Sequence, residues 1–503
     1  LKTVEISEKG IILYKGKNLE YDKGNVMINK ITLGLSVAAL AGFEAKAQKV
    51  ETRPNLLAII VDQQAADVMS NAGCKWVNTP AMDSLASQGV RFSAAYCSFP
   101  LCAPQRAAML TGQPPFKSFN DPLKYTSIGT LVKNAGYDTV YYGKWHVGKT
   151  KMDSPKVAKW SGFDILQHCY DEEIETRSVE YLKKKHKKPF FMVASFTNPH
   201  DCCELARKLG GWKKGTKFTK GGLLPNTKIP LSQCPPLPDN FEEPDLMPEV
   251  MRNQTPSKGV NWVSIRPTGT WGKAEWRRYL YGYARLVENV DARIGRILDA
   301  LKKQKLDKNT VIVFLSDHGD GIGAHRWNQK HCFFEESIRV PFIIADPRGK
   351  HGVVDKLLVN TGIDFAPTLL DYAGGNISSY PGISLKAVVE GKKRPQRKFV
   401  VSEFFRHAQE LGLKFAPRDS KEFKRINKYS EARARMLVSD RYKYFVYDMG
   451  KDPEALFDLQ NDHGEMKNLV NDPKHKKTLF KYRKKLKDYL KKANDPFKMP
   501  TGI

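Results

Sequence analysis

No stretch of this chain stays apolar long enough to span a bilayer; the best candidate, Ile31 to Phe43, falls short of the ~20 residues a membrane helix needs. Stable membrane insertion is therefore not expected. Acidic residues are scarce, 54 Asp and Glu against 82 Lys and Arg, which leaves a formal net charge of +28. A field of that sign favours polyanionic partners: nucleic acid, acidic polysaccharide or a membrane surface. Zinc-finger spacings, RNA-binding aromatic boxes and a clear helix-turn-helix pattern are all missing, which disfavours nucleic acid. Internal repeats are missing as well. The eight cysteines match no zinc pattern, and their pairing is not legible from spacing.

What the chain does have is length. Its 503 residues can bury a substantial core, and one large domain plus a smaller one is the natural division. From Met27 a short basic region, an apolar run and Ala45-Lys46-Ala47 have the anatomy of a secretory signal. The expected layout is an upstream extension of doubtful status (1–26), a signal peptide (27–47), a catalytic domain (48–395) and a C-terminal subdomain (396–503). Export to the periplasm or medium follows, in an oxidising setting where disulfides can form. With Cys102 set aside, seven cysteines remain, so at least one stays unpaired.

Asn55 to Val61, Pro189 to Ser195, Thr310 to Leu315 and Val340 to Ile344 are short continuous apolar runs, read as buried strands. Asp138 to Tyr142 is another strand. Helices are expected from Thr79-Pro80 to Ala86, Ile128 to Asn134, Glu275 to Lys305 and Phe365 to Tyr372. Residues 202–270, rich in Gly, Pro and Lys, read as long irregular loops. The alternation predicts an α/β fold: a large, mostly parallel or mixed sheet flanked by helices. Past residue 396 the pattern changes to a smaller α+β subdomain, a short antiparallel sheet plus a terminal helix with Leu479, Tyr482, Leu486, Tyr489 and Leu490 on one face.

The chemistry-bearing residues fall just after predicted strands, where ligands gather in such sheets. Asp62 and Gln63 end one strand, and Asp317 and His318 end another that should lie beside it. Two carboxylates, an amide oxygen and an imidazole suit a divalent cation: Ca²⁺ or Mg²⁺ by the oxygen donors, Mn²⁺ by the nitrogen. Cys102, with Pro104 in the first turn, would open a helix whose N-terminus favours negative charge.

Cys102-Ala-Pro104-Gln105-Arg106, followed by Leu110-Thr111-Gly112, resembles the signature of the sulfatase family. Gly143-Lys144-Trp145-His146, Asn198-Pro199-His200, the stretch from Gly323 through His325 to Lys330, and Arg339-Val340-Pro341 continue the likeness in order. Arg441-Tyr442 and Glu454 to Leu459 extend it to nearly the whole chain after residue 48. Two positions depart from the family pattern: Gln105 stands where Ser is usual, and Gln63 where a second Asp is common. The latter is shared with phosphonate monoester hydrolases and choline sulfatases.

The resemblance implies that a formylglycine-generating enzyme oxidises Cys102 to formylglycine. It implies one divalent cation, Ca²⁺ foremost with Mg²⁺ or Mn²⁺ as alternatives, held by Asp62, Gln63, Asp317, His318 and the modified residue. The formylglycine hydrate attacks sulfur to give a covalent sulfo-enzyme. Lys144, His200 and Lys330 clamp the sulfate oxygens, His200 or Lys330 protonates the leaving alcohol, and His146 deprotonates the second hydroxyl. Arg106 holds the formylglycine. The implied substrate is a sulfated saccharide, a glycosaminoglycan or host glycan. Alternatives are a phosphonate or phosphate diester hydrolase of the same fold and, from another class, an unmodified polyanion-binding protein that catalyses nothing.

Overall fold

The computed structural model describes residues 53–212, 224–260, 266–405 and 417–503, together with the strands Glu5–Ile6 and Ile12–Leu13. Those two short strands pair antiparallel within residues 1–52, a unit of its own. The expected signal segment, 27–47, lies outside the described residues.

From Arg53 onward the architecture is built on an eight-stranded sheet. Its order is Val353–Asp355, Val90–Phe92, Phe342–Ala345, Thr310–Ser316, Asn55–Asp62, Phe190–Pro199, Asp138–Gly143, Ile165–Gln167. All neighbours run parallel except where Phe342–Ala345 lies antiparallel between its two partners. The central strand explains why the sequence there is apolar without alternation. Leu57, Ile59 and Val61 face one core and Leu56, Ala58 and Ile60 the other, so both sides are covered.

The long helix Lys273–Lys303 seals the first core with Tyr283, Leu286, Val287, Val290 and Ile294. On the other face lie the helices Cys102–Thr111 and Thr361–Tyr372. Thr361–Tyr372 begins four residues before Phe365, capped by the Asn360 side chain, which accepts from Gly362 N–H. Thr79 precedes Pro80–Ser87 as expected, but its hydroxyl bonds Ser70 rather than capping the helix.

The stretch 202–270 is more ordered at its start than its composition suggests. Cys202–Leu209 is a helix that buries Cys202, Leu205 and Ala206 against the first core, and Glu249–Arg252 forms one short helical turn. At eight residues Cys202–Leu209 is short, and the Gly, Pro and Lys content of the whole stretch conceals it.

Toward the C-terminus, Val400–Phe405, Arg433–Val438, Tyr442–Tyr447 and Glu454–Asp458 form a four-stranded antiparallel sheet. The helix Lys476–Ala493 packs on it through Leu479, Tyr482, Leu486 and Leu490. On its other side this sheet shares a core with Phe99, Leu101 and Phe334. No helix among the described residues is long and apolar enough to cross a membrane. All eight cysteines are free thiols.

Candidate active site

The central strands Asn55–Asp62 and Thr310–Ser316 run side by side and stop together, so Asp62 and Asp317 emerge at one edge. Phe190–Pro199 delivers His200 to the same edge. Asp138–Gly143 delivers Lys144, whose N–H donates to Ser195 O at 2.8 Å. That approach requires Gly143: with φ 103, a Cβ there would sit 2.1 Å from Ser195 O. The first turn of the helix Cys102–Thr111 completes the ring.

Cys102 is buried at the centre of these groups. Its Sγ lies 3.1 Å from His318 Nε2, 3.6 Å from Asp62 Oδ1, 3.3 Å from Lys330 Nζ and 3.7 Å from Lys144 Nζ. His146 hydrogen-bonds the same sulfur from an exposed position at the mouth. Burial raises the thiol pKa, but Lys144, Lys330 and His318 outweigh it and hold the thiol well below its ordinary value. The pocket is built to stabilise an anion.

Arg106 reaches not residue 102 but the two carboxylates. Its Nε donates to Asp317 Oδ2 at 2.7 Å and one terminal nitrogen to Asp62 Oδ2 at 3.2 Å; the other donates to Ser195 Oγ and Lys144 O. Lys144 also pairs with Asp62. Burial would push Asp62 up, as would Cys102, yet Lys144, His200 and Arg106 depress it below the usual carboxylate range.

One ligand atom each from Asp62, Cys102, Asp317 and His318 lies within 4.8 Å of the others, all buried. His318 Nδ1 lies 2.9 Å from Gly319 O, which can only accept, so Nδ1 carries a proton and Nε2 is the nitrogen turned inward toward Cys102. Gln63 adds an amide oxygen: its Oε1 accepts from Lys330 Nζ at 2.8 Å. Two carboxylates, an amide oxygen and an oriented imidazole fit a divalent cation.

His200 lies beside Cys203, Nε2 to Sγ 3.9 Å. Burial opposes its charge, but the Cys203 sulfur and Asp62 hold it up at about 9. Thus Asp62, Gln63, Cys102, Arg106, Lys144, His146, His200, Asp317, His318 and Lys330 all come together.

Several neighbours were not singled out from sequence. Asp320 accepts from Gln63 Nε2, Tyr279 OH and Gln329 N. Cys202 and Cys203 line Gln63, with Cys203 Sγ 2.8 Å from Gln329 Oε1. The signal for Asp320 was present in Ser-Asp-His-Gly-Asp, three residues beyond Asp317. Gln105 faces away from the pocket: it accepts from Ser98 N and donates to Thr361 Oγ1.

A family model described as Sulfatase matches residues 54–375, and one described as N-sulphoglucosamine sulphohydrolase, C-terminal, matches 323–492. The Delta 4,5-hexuronate-2-O-sulfatase of Bacteroides thetaiotaomicron is 30% identical over 492 residues, covering 92% of this chain and 93% of that protein. The N-acetylglucosamine-6-O-sulfatase of the same organism is 28% identical, with 94% of each chain covered. Among solved structures, a 2-O GAG sulfatase superposes with a TM-score of 0.70 at 28% identity, over 89% of this chain and 94% of that one. The phosphonate monoester hydrolase of Agrobacterium radiobacter gives 0.68 at 21% identity over 88% and 96%, a likeness of fold alone.

Proposed function

This chain belongs to the sulfatase family and is a sulfuric ester hydrolase, and we propose that it desulfates an anionic saccharide of the glycosaminoglycan type after conversion of Cys102 to formylglycine. The observation that carries the reading is the convergence on residue 102 of two lysines, two histidines and a set of metal-ligating side chains. Cys102 Sγ stands where the hydroxyls of a formylglycine hydrate would be.

The hydrate would supply one hydroxyl to attack sulfur and a second whose deprotonation releases sulfate, an exit closed to an ordinary Cys or Ser. A cation held by Asp62, Gln63, Asp317 and His318, Ca²⁺ by the weight of oxygen donors, would supply positive charge to the sulfate and favour ionisation of the attacking hydroxyl. The remaining work falls to the chain. Lys144 and Lys330 aim ammonium groups at the space around residue 102 and neutralise the sulfuryl oxygens as charge develops. His200, charged up to about 9, gives a proton to the departing sugar oxygen. His146, at the mouth and in contact with residue 102, takes the proton from the second hydroxyl. Arg106 is a positioning residue that keeps two mutually repelling carboxylates at one point.

The net charge of +28 favours an anionic polymer, and the similar proteins named above are, by their names, a Delta 4,5-hexuronate-2-O-sulfatase and an N-acetylglucosamine-6-O-sulfatase. Export through the 27–47 segment and maturation by a formylglycine-generating enzyme complete the proposal. Rates on defined sulfated disaccharides and on a phosphonate monoester test it. Turnover of a sulfated sugar at least tenfold above the phosphonate supports the reading; preference for the phosphonate overturns it.

A further inference from the structure

The turn that carries Lys330 into the pocket holds a second group of ligating atoms. His325 sits on it with φ 54, 1% exposed, stacked on Phe334 with ring centroids 3.7 Å apart. Neither of its ring nitrogens has a hydrogen-bond partner among the described residues. A buried imidazole without a partner is costly, since each polar nitrogen has lost water and gained nothing. One ligand atom each from His325, Glu336 and Glu465 lies within 4.8 Å of the others.

The two carboxylates are only partly satisfied. Glu336 accepts from the Asn240 amide at 2.9 Å through Oε1, while Oε2 has no hydrogen-bond partner. Glu465 accepts from Glu335 N–H at 2.7 Å through Oε2, and Oε1 meets Lys443 Nζ at 2.6 Å. Lys443 keeps Glu335 at 2.9 Å and Phe333 O at 2.8 Å as further partners.

Charge at this place does not balance. Among the described residues Glu335, Glu336 and Glu465 face Lys443 and Arg339, while the more exposed Asp67 has Arg91 as well as Arg339 beside it. One negative charge remains, and a poorly solvated interior must neutralise it with a proton or with a cation. Burial pushes Glu465 up to about 8 and raises Glu336. Burial, with Lys443 nearby, lowers His325 to about 3, so its imidazole stays neutral with a lone pair to give. A pocket of about 500 Å³, whose charged lining is Asp67, Glu335, Glu336 and Asp440 with Arg339 and Lys356, reaches Glu336 from outside.

We propose that His325, Glu336 and Glu465 bind a divalent first-row metal ion, Zn²⁺ or Mn²⁺, separate from the cation at Cys102. One imidazole with carboxylates suits such an ion better than Ca²⁺, which prefers oxygen throughout. The ion has a mechanical consequence. It joins the turn that bears Lys330, the helical turn Glu335–Ile338 and the loop after Glu454–Asp458. Glu335–Ile338 in turn packs so tightly on the Asp317 loop that a Cβ on Gly319 would sit 1.9 Å from Glu336 O.

The test is metal stoichiometry on the full chain. Metal-stripped protein is titrated with Mn²⁺, which thiols bind poorly, and free ion is read by electron paramagnetic resonance. Two ions are expected in the unaltered protein and one in Glu336→Gln, whose near-isosteric amide spares packing. Asp317→Asn, which weakens the Cys102 site, should keep one ion, and adding Glu336→Gln should remove it. A single ion in the unaltered protein overturns the proposal, as does Glu336→Gln that binds as many as its parent. Circular dichroism of each variant separates loss of the site from loss of fold; should Glu336→Gln unfold, His325→Gln carries the same comparison.

Discussion

Gln63 donates its side-chain amide to Asp320 at 2.7 Å and accepts from Lys330 at 2.8 Å, so its nitrogen is turned outward and its oxygen into the pocket. Asp320 is itself fixed by Tyr279 OH and the Gln329 and Ile322 backbone N–H groups. The second position of the Asp62-Gln63 pair therefore demands a group that both donates and accepts. Gln63→Asp would set a carboxylate against buried Asp320 and should cost about 1–3 kcal/mol. Asp320→Asn in the same chain should restore part of that loss, because the two sites are in contact. Urea midpoints for the four proteins of the cycle check this.

Lys330→Met keeps the volume of the side chain and removes the ammonium that lies 3.3 Å from Cys102 Sγ. Loss of one donor that meets developing charge typically costs about 10²–10³ in kcat. The same range is expected for Lys144→Met, with metal affinity raised rather than lowered, because Lys144 pairs with Asp62 and its ammonium competes with the cation for that carboxylate. Steady-state rates on a sulfated disaccharide, with and without added Ca²⁺, separate the two.

Arg106→Gln should be the most destabilising change at the site. It leaves Asp62 and Asp317 buried with their shared guanidinium gone. Breaking a buried ion pair by removing one partner costs about 3–5 kcal/mol. Added Ca²⁺ should recover part of this, since the cation brings charge back between the same carboxylates. Thermal midpoints across a calcium series provide the check.

Far from the pocket, Glu403 predicts a pH dependence. Burial pushes its carboxyl up to about 8; Arg435 opposes this from 3.6 Å, but gives its two short bonds to Asp495. A carboxyl whose folded pKa is raised contributes stability below its unfolded value near 4.5, lost as pH rises through about 8. Glu403→Gln should therefore be about 1 kcal/mol or more stabilising at pH 9 and close to neutral at pH 5. Denaturation curves at the two pH values decide it.

The central strands were legible because both faces are buried, which turns a sheet position into a plain apolar run such as Asn55 to Val61. The site followed from them, since Asp62, Lys144, His200 and Asp317 each lie just past a strand end. Strand direction was not legible. Phe342–Ala345 is as apolar as its neighbours, and nothing local says that it runs antiparallel. The edge strands Val353–Asp355 and Ile165–Gln167 have three residues each, too few for a pattern.

Partners set by distant contacts were hidden as well. Asp320, Gln329 and Cys203 matter only because the fold brings them to Gln63. Gln105 looked like a flaw in the Cys102 motif. It is instead a buried latch between Ser98 and Thr361, directed away from the reacting group.

The mass of the peptide containing residue 102, taken from protein made in its native host, tests the central claim most directly. Conversion of the thiol to the aldehyde predicts a loss of about 18 Da, with the remainder of the peptide unchanged (cf. the cysteine oxidation states in). An intact thiol at residue 102 in protein that still releases sulfate would contradict the account, because the surrounding lysines and histidines would then be serving another nucleophile.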